Sequence, residues 1–155
     1  MIMTSLCPIT CLLVAFLQAG EAPPAPGEIF NANEKARIEK ADKVDGRIKV
    51  YEAASKRIQQ ALESAIKAND FQAFPDNLNL WMSLLSKSLE DIEANLKAKK
   101  KPRSLINYEI QVRKSITNME NFKIRVPVDQ QDLVDSCLAH AEKVRKRYVE
   151  ILFRH

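Results

Sequence analysis

The side chains best suited to hold a metal or attack a substrate are few in this 155-residue chain: two histidines, three cysteines and four methionines. A zinc site wants three or four clustered His, Cys or carboxylate ligands. Beyond the amino-terminal stretch, where Cys7 and Cys11 lie, the chain offers His140, the terminal His155 and Cys137. Di-iron bundles use paired Glu-x-x-His motifs, covalent haem needs Cys-x-x-Cys-His, and serine hydrolases carry a Gly-x-Ser-x-Gly elbow. None of these occurs, and three glycines in all leave no phosphate-cradling loop. Haem held non-covalently between helices by His and Met remains as an alternative. It would use His140 with Met82 or Met119. The simpler reading has His140 flanking a core and the methionines filling gaps in it, so no cofactor and no metal are expected. Carboxylates are plentiful, but acid–base chemistry needs a concave site that raises a pKa, and no residue pattern marks one. The expectation is a non-enzymatic protein.

Positioning these side chains falls to helices. Apolar residues make up 46% of the chain and charged residues 28%, which suits one domain able to bury a core unaided. Apolar positions recur every three or four residues. Ile38, Ala41, Val44, Ile48, Tyr51, Ile58, Leu62 and Ile66 form one stripe over 31–69, with a soft point at Gly46. A second stripe over 77–99 includes Trp81, and Asp76 is its expected N-cap after Pro75. A third covers 102–123, with Pro102 near its start and Leu105, Ile106 and Ile110 on its apolar face. A fourth covers 129–153 and carries Cys137, Tyr148 and Ile151. No segment alternates as a strand would. The fold class is therefore all-α: an up-down-up-down four-helix bundle with antiparallel neighbours. At ~1.5 Å per residue the first helix would reach roughly 55 Å and overhang the others. Its early turns, around Ile38 and Ala41, could then pack on another subunit as a homodimer contact.

The amino terminus differs from the rest. No charged side chain precedes Glu21, and the apolar run 11–17 is too short for a membrane span of ~20 residues. Followed by small residues, it reads as an export signal over 1–19, cut after Ala19 or Ala22. A Pro/Ala-rich flexible linker over 20–30 would lead into the bundle. The expected location is secreted or periplasmic, with no transmembrane helix in the mature protein. Cleavage would leave Cys137 as the sole thiol, read as a small buried hydrophobe rather than a nucleophile.

Charge supplies the functional lead. Lys plus Arg exceeds Asp plus Glu by 24 to 20, a net charge of +4. In the expected topology one pole gathers Lys97, Lys99, Lys100, Lys101, Arg103, Arg145, Lys146 and Arg147, while the other carries Asp70, Asp76, Asp129 and Asp132. Such residues offset helix dipoles, and they could equally dock on an anionic envelope surface or an acidic protein partner. Nucleic acid fits less well, because no aromatic residues interleave with the basic ones.

Overall fold

The computed structural model describes residues 25, 27–96 and 102–154. The amino-terminal segment expected to be an export signal, and Lys97, Lys99, Lys100 and Lys101, lie outside the described residues. Five α-helices follow in order: α1 (Ala32–Lys40), α2 (Val44–Ala68), α3 (Phe74–Asn95), α4 (Arg103–Phe122) and α5 (Val128–Phe153). A 3-10 turn, Lys123–Arg125, joins α4 to α5, and no strand occurs among the described residues. None of the described helices is long and apolar enough to cross a membrane.

The expected first helix is two helices. The chain leaves helical geometry at residues 41–43 and turns back, so that α1 lies along α2 instead of extending it. Asn31 starts α1 with a capping box: its Oδ1 accepts from the Glu34 N–H (2.7 Å) and Glu34 Oε2 accepts from the Asn31 N–H (2.9 Å). Arg57 of α2 then grips Glu34 with two donors, at 3.1 and 2.9 Å, and gives a third hydrogen bond to the Ile29 carbonyl (2.7 Å). Phe30 packs on Tyr51. At the turn, Arg47 donates to the Ala41 carbonyl (3.1 Å). Gly46 sits here because the turn needs close approach: a Cβ at residue 46 would stand 3.1 Å from the Ala41 Cβ.

Apolar spacing reports which residues are buried, not which way the chain runs between them. Ile38 and Val44 both pack against the core, as a continuous helix would also have required. The overhang falls away, since the turns expected to extend past the bundle rest on α2 of the same chain. Val50, absent from the expected stripe, is buried; it lies between Arg47 and Arg57 on the face of α2 that α1 covers.

α2 packs on α3 and on α4, and α5 packs on the same two. The diagonal pairs are α2/α5 and α3/α4. Ser104 at the start of α4 donates to Asp45 at the start of α2 (2.6 Å). Arg125, before α5, donates to the Ile66 carbonyl near the end of α2 (3.2 Å). So α2 runs parallel to α4 and α3 parallel to α5, while α2/α3 and α4/α5 are antiparallel. The expectation of antiparallel neighbours throughout is corrected: the connection after Leu96 joins diagonal helices, for which five intervening residues at ~3.3 Å each have the reach.

The helix starts are also adjusted. Pro75 lies inside the first turn of α3, where its missing N–H has no carbonyl to bond, and Asp76 sits in that turn instead of capping it. α2 ends at Asn69 in the left-handed region (φ 53°), which asparagine tolerates well. On α4 the inward residues are Leu105, Tyr108 and Val112, and Ile106 is turned to solvent.

Trp81, Phe74, Tyr108 and Tyr148 are the largest buried side chains. Their polar atoms have partners. Trp81 Nε1 donates to Ser55 Oγ (2.9 Å), and Ser88 Oγ lies 3.2 Å from the Tyr108 hydroxyl and 2.7 Å from that of Tyr148. Burial pushes the Tyr108 phenol up to about 12.

Besides the packing of Phe30 and Ile38 and the Arg47–Ala41 hydrogen bond, α1 is held by one capping box and one forked ion pair, few enough contacts that it should open without global unfolding. Glu34→Ala removes both and is expected to lower the local opening free energy by about 1–2 kcal/mol. Limited tryptic cleavage at Lys40 and Lys43 should speed up roughly tenfold, while the thermal midpoint of the bundle moves little.

Candidate functional site

The parallel pair α3/α5 leaves a groove of about 600 Å³ between them, lined by Ser86, Leu89, Glu90, His140, Val144 and Arg147, among others. Two polar links cross it. Ser86 Oγ and His140 Nε2 are 2.9 Å apart, and Arg147 donates to Glu93 from Nε (3.0 Å) and Nη2 (2.6 Å). The Ser86–His140 contact has the form of a nucleophile with its base. Ser86 is in mid-helix, however, where backbone N–H groups are consumed by the helix and supply no oxyanion donors. Glu93 and Arg147 are bonded to each other. The arrangement staples α3 to α5.

His140, expected to flank the core, is half-buried at this groove and engages Ser86. Met82 lies one turn before Ser86, half-buried, and Met119 is buried on α4. Among the described residues no group of three or more His, Cys, Asp or Glu side chains could hold a metal ion. Cys137 is buried, its Sγ 4.0 Å from the Leu78 carbonyl, and burial pushes its thiol up to about 12. A thiol protonated to that degree is a poor nucleophile. In the folded protein Cys137 should therefore resist a disulfide reagent at pH 8, and it should react as one further equivalent on unfolding in guanidinium.

The basic residues are only partly brought together as free charge. Arg103 opens α4 and Lys146 lies near the end of α5, both exposed at one end of the bundle. Arg145 pairs with Glu109 and Glu142, each at 3.1 Å. Arg147 pairs with Glu93 and Glu150. These two arginines bind α5 to its neighbours, and their guanidinium charge is met within the protein. Lys35 of α1 lies away from this end and pairs with Glu28 (2.8 Å).

Sequence reasoning missed the best-connected polar cluster. Asp91 of α3 accepts from Arg47 Nε and Nη2 (2.8 and 2.9 Å), from the Tyr51 hydroxyl (2.8 Å) and from Asn95 (2.8 Å). Burial by itself would raise the Asp91 carboxyl, but hydrogen bonds from Arg47 and Tyr51, with the Arg47 charge, outweigh it and hold the group below the ordinary aspartate value. Burial and the Asp91 carboxylate together raise the Tyr51 phenol. The cluster fixes the α1–α2 turn against α3. Arg47 and Tyr51 lie 44 and 40 positions from Asp91, so spacing along the chain carried no signal of their meeting.

Comparison with known proteins adds no analogy to this geometry: no family model, no curated protein and no solved structure matches the chain.

Proposed function

We propose that this protein is an exported, non-enzymatic interaction or structural module of the cell envelope, a four-helix core that docks on an anionic surface through its basic pole. In this reading residues 1–19 direct export and are removed after Ala19 or Ala22. One observation carries the docking: the exposed cations Arg103 and Lys146 share an end of the bundle with exposed Phe153 and Ile106. Lys97, Lys99, Lys100 and Lys101 fall in sequence between the end of α3 and the start of α4, both at this end. Cations beside apolar side chains suit a lipid surface, where head groups attract the former and the acyl boundary accepts the latter. Arg145 and Arg147, already paired within the protein, contribute less to the docking than their neighbours.

Each cation near an anionic bilayer is worth about 1 kcal/mol. The triple substitution Lys99→Glu, Lys100→Glu and Lys101→Glu is therefore expected to weaken pelleting with vesicles of phosphatidylglycerol and phosphatidylcholine at least 100-fold. Wild-type binding should fall steeply as salt rises. Equal binding to purely phosphatidylcholine vesicles, or no change in the triple variant, would refute the reading.

A further inference from the structure

Among the described residues four large apolar side chains stand exposed, and they divide between the two ends of the bundle. Ile124 and Val128, 87% and 82% exposed, occupy the α4–α5 connection and the first position of α5. Phe153 and Ile106, 71% and 43% exposed, lie in the last turn of α5 and the first turn of α4, at the opposite end. The flanks between them hold none of this kind.

The first pair is rigidly mounted. Arg125 is tied to the Ile66 carbonyl, and Lys123 pairs with Asp135 at 2.6 Å. Val126 is buried between them, and its carbonyl accepts from Gln131 (3.0 Å). The turn thus holds two branched side chains out in water.

Charge sorts in the same way. Asp70, Asp76, Asp129 and Asp132 are exposed at the end that carries Ile124 and Val128. Of the cations there, Lys123 pairs with Asp135 and Arg125 donates to the end of α2, while Lys67 is exposed 4.0 Å from Glu63. At the end with Phe153 and Ile106, Arg103, Lys146 and Arg154 are exposed. Of the carboxylates nearby, Glu93 and Glu150 share Arg147, Glu109 and Glu142 share Arg145, and Glu90 is exposed. The α1–α2 turn adds exposed Lys40 and Lys43 with exposed Glu39 and Asp42, which leaves the balance unchanged.

We propose that the protein associates end to end with further copies of itself, the acidic end of one copy, with Ile124 and Val128, seating on the basic end of the next, with Phe153 and Ile106. The two surfaces in contact are different, so the contact is heterologous and repeats into open chains. The end of a bundle offers less than the ~800 Å² per partner of a standard interface, so the association is weak and salt-dependent. The inference goes beyond docking on an anionic surface, because that docking uses only the basic end.

Sedimentation velocity on the purified protein, from about 10 μM to about 1 mM, covers the range of so small a contact. At low ionic strength the average mass should rise with concentration and not level off at a dimer. The association constant should fall at least tenfold between about 50 and about 300 mM salt. Ile124→Asp with Val128→Asp blocks the acidic end, and Phe153→Asp with Arg103→Glu blocks the basic end. All four positions are exposed, and circular dichroism checks that the helices persist. Each double variant should be monomeric alone, and the two mixed should form a 1:1 dimer that grows no further. A wild-type protein that stays monomeric or stops at a dimer would overturn the proposal. So would association surviving in either variant, or a mixture without the 1:1 dimer. Pelleting of the acidic-end variant with anionic vesicles tests the docking separately, so failure of one reading is distinguished from failure of the other.

Discussion

Trp81→Ala is expected to cost about 3–5 kcal/mol, the range for truncating a fully buried aromatic. Trp81 has no exposed surface, and it sits on α3 with its indole N–H on Ser55 of α2. Truncation would open a cavity and leave the Ser55 hydroxyl without its donor. Domains of this size are stable by about 5–15 kcal/mol, so the variant should be partly unfolded near body temperature. Urea unfolding followed by circular dichroism measures the loss, since the chain has no second tryptophan to report by fluorescence. Trp81→Phe keeps most of the volume and loses the hydrogen bond, and should cost only about 1–2 kcal/mol. A loss below about 1 kcal/mol for the alanine variant would contradict the assignment of this residue to the core.

Asp91→Ala should come next, at about 3 kcal/mol, the low end of the cost of breaking a buried ion pair. The low end applies because the Arg47 and Asp91 side chains keep 17% and 19% of their exposure. The substitution strands Arg47 and the buried Tyr51 hydroxyl together. It also frees the α1–α2 turn, so the tryptic sites at Lys40 and Lys43 should open along with the global loss. The same residue sets an acid limb. Its carboxyl titrates below the ordinary value in the fold and near ~3.9 in the unfolded chain. The stabilisation is therefore complete above the unfolded value and is lost as pH falls through the folded one. Urea midpoints at pH 7 and pH 3 should differ less in Asp91→Asn than in the wild type, because the amide has no proton to take up. An unchanged difference would show that other carboxylates carry the acid sensitivity.

Helix content and most of the core were legible without coordinates. The positions of Ile48, Leu62, Trp81, Leu85, Val112, Cys137 and Tyr148 follow from 3.6-residue periodicity, and all are buried. Two expectations failed for one cause: local spacing does not record how the chain turns in space. The stripe over 31–69 merged two helices, because Ile38 and Val44 meet the core whether the chain runs straight on or folds back. The stripe gave the start at residue 31, but no signal marked the end of α1: Ala41 and Lys43 are ordinary helix formers. Antiparallel neighbours were inferred from short connections, and the connection after Leu96 is long enough to reach a diagonal helix.

The basic pole shows the same division. Composition and helix order place cations at one end, but they do not say which are free. Glu93, Glu109 and Glu150 decide that Arg145 and Arg147 are engaged while Lys146 between them is exposed. On its own the sequence determined that the chain is helical, which faces are apolar and where charge concentrates, because periodicity and capping are local along the chain. The tertiary structure alone decided that α1 folds back, which helices are diagonal, and that Asp91 and Glu34 hold arginines. Those outcomes depend on contacts between residues tens of positions apart, and pairing at that distance leaves no trace in the spacing of a single sequence.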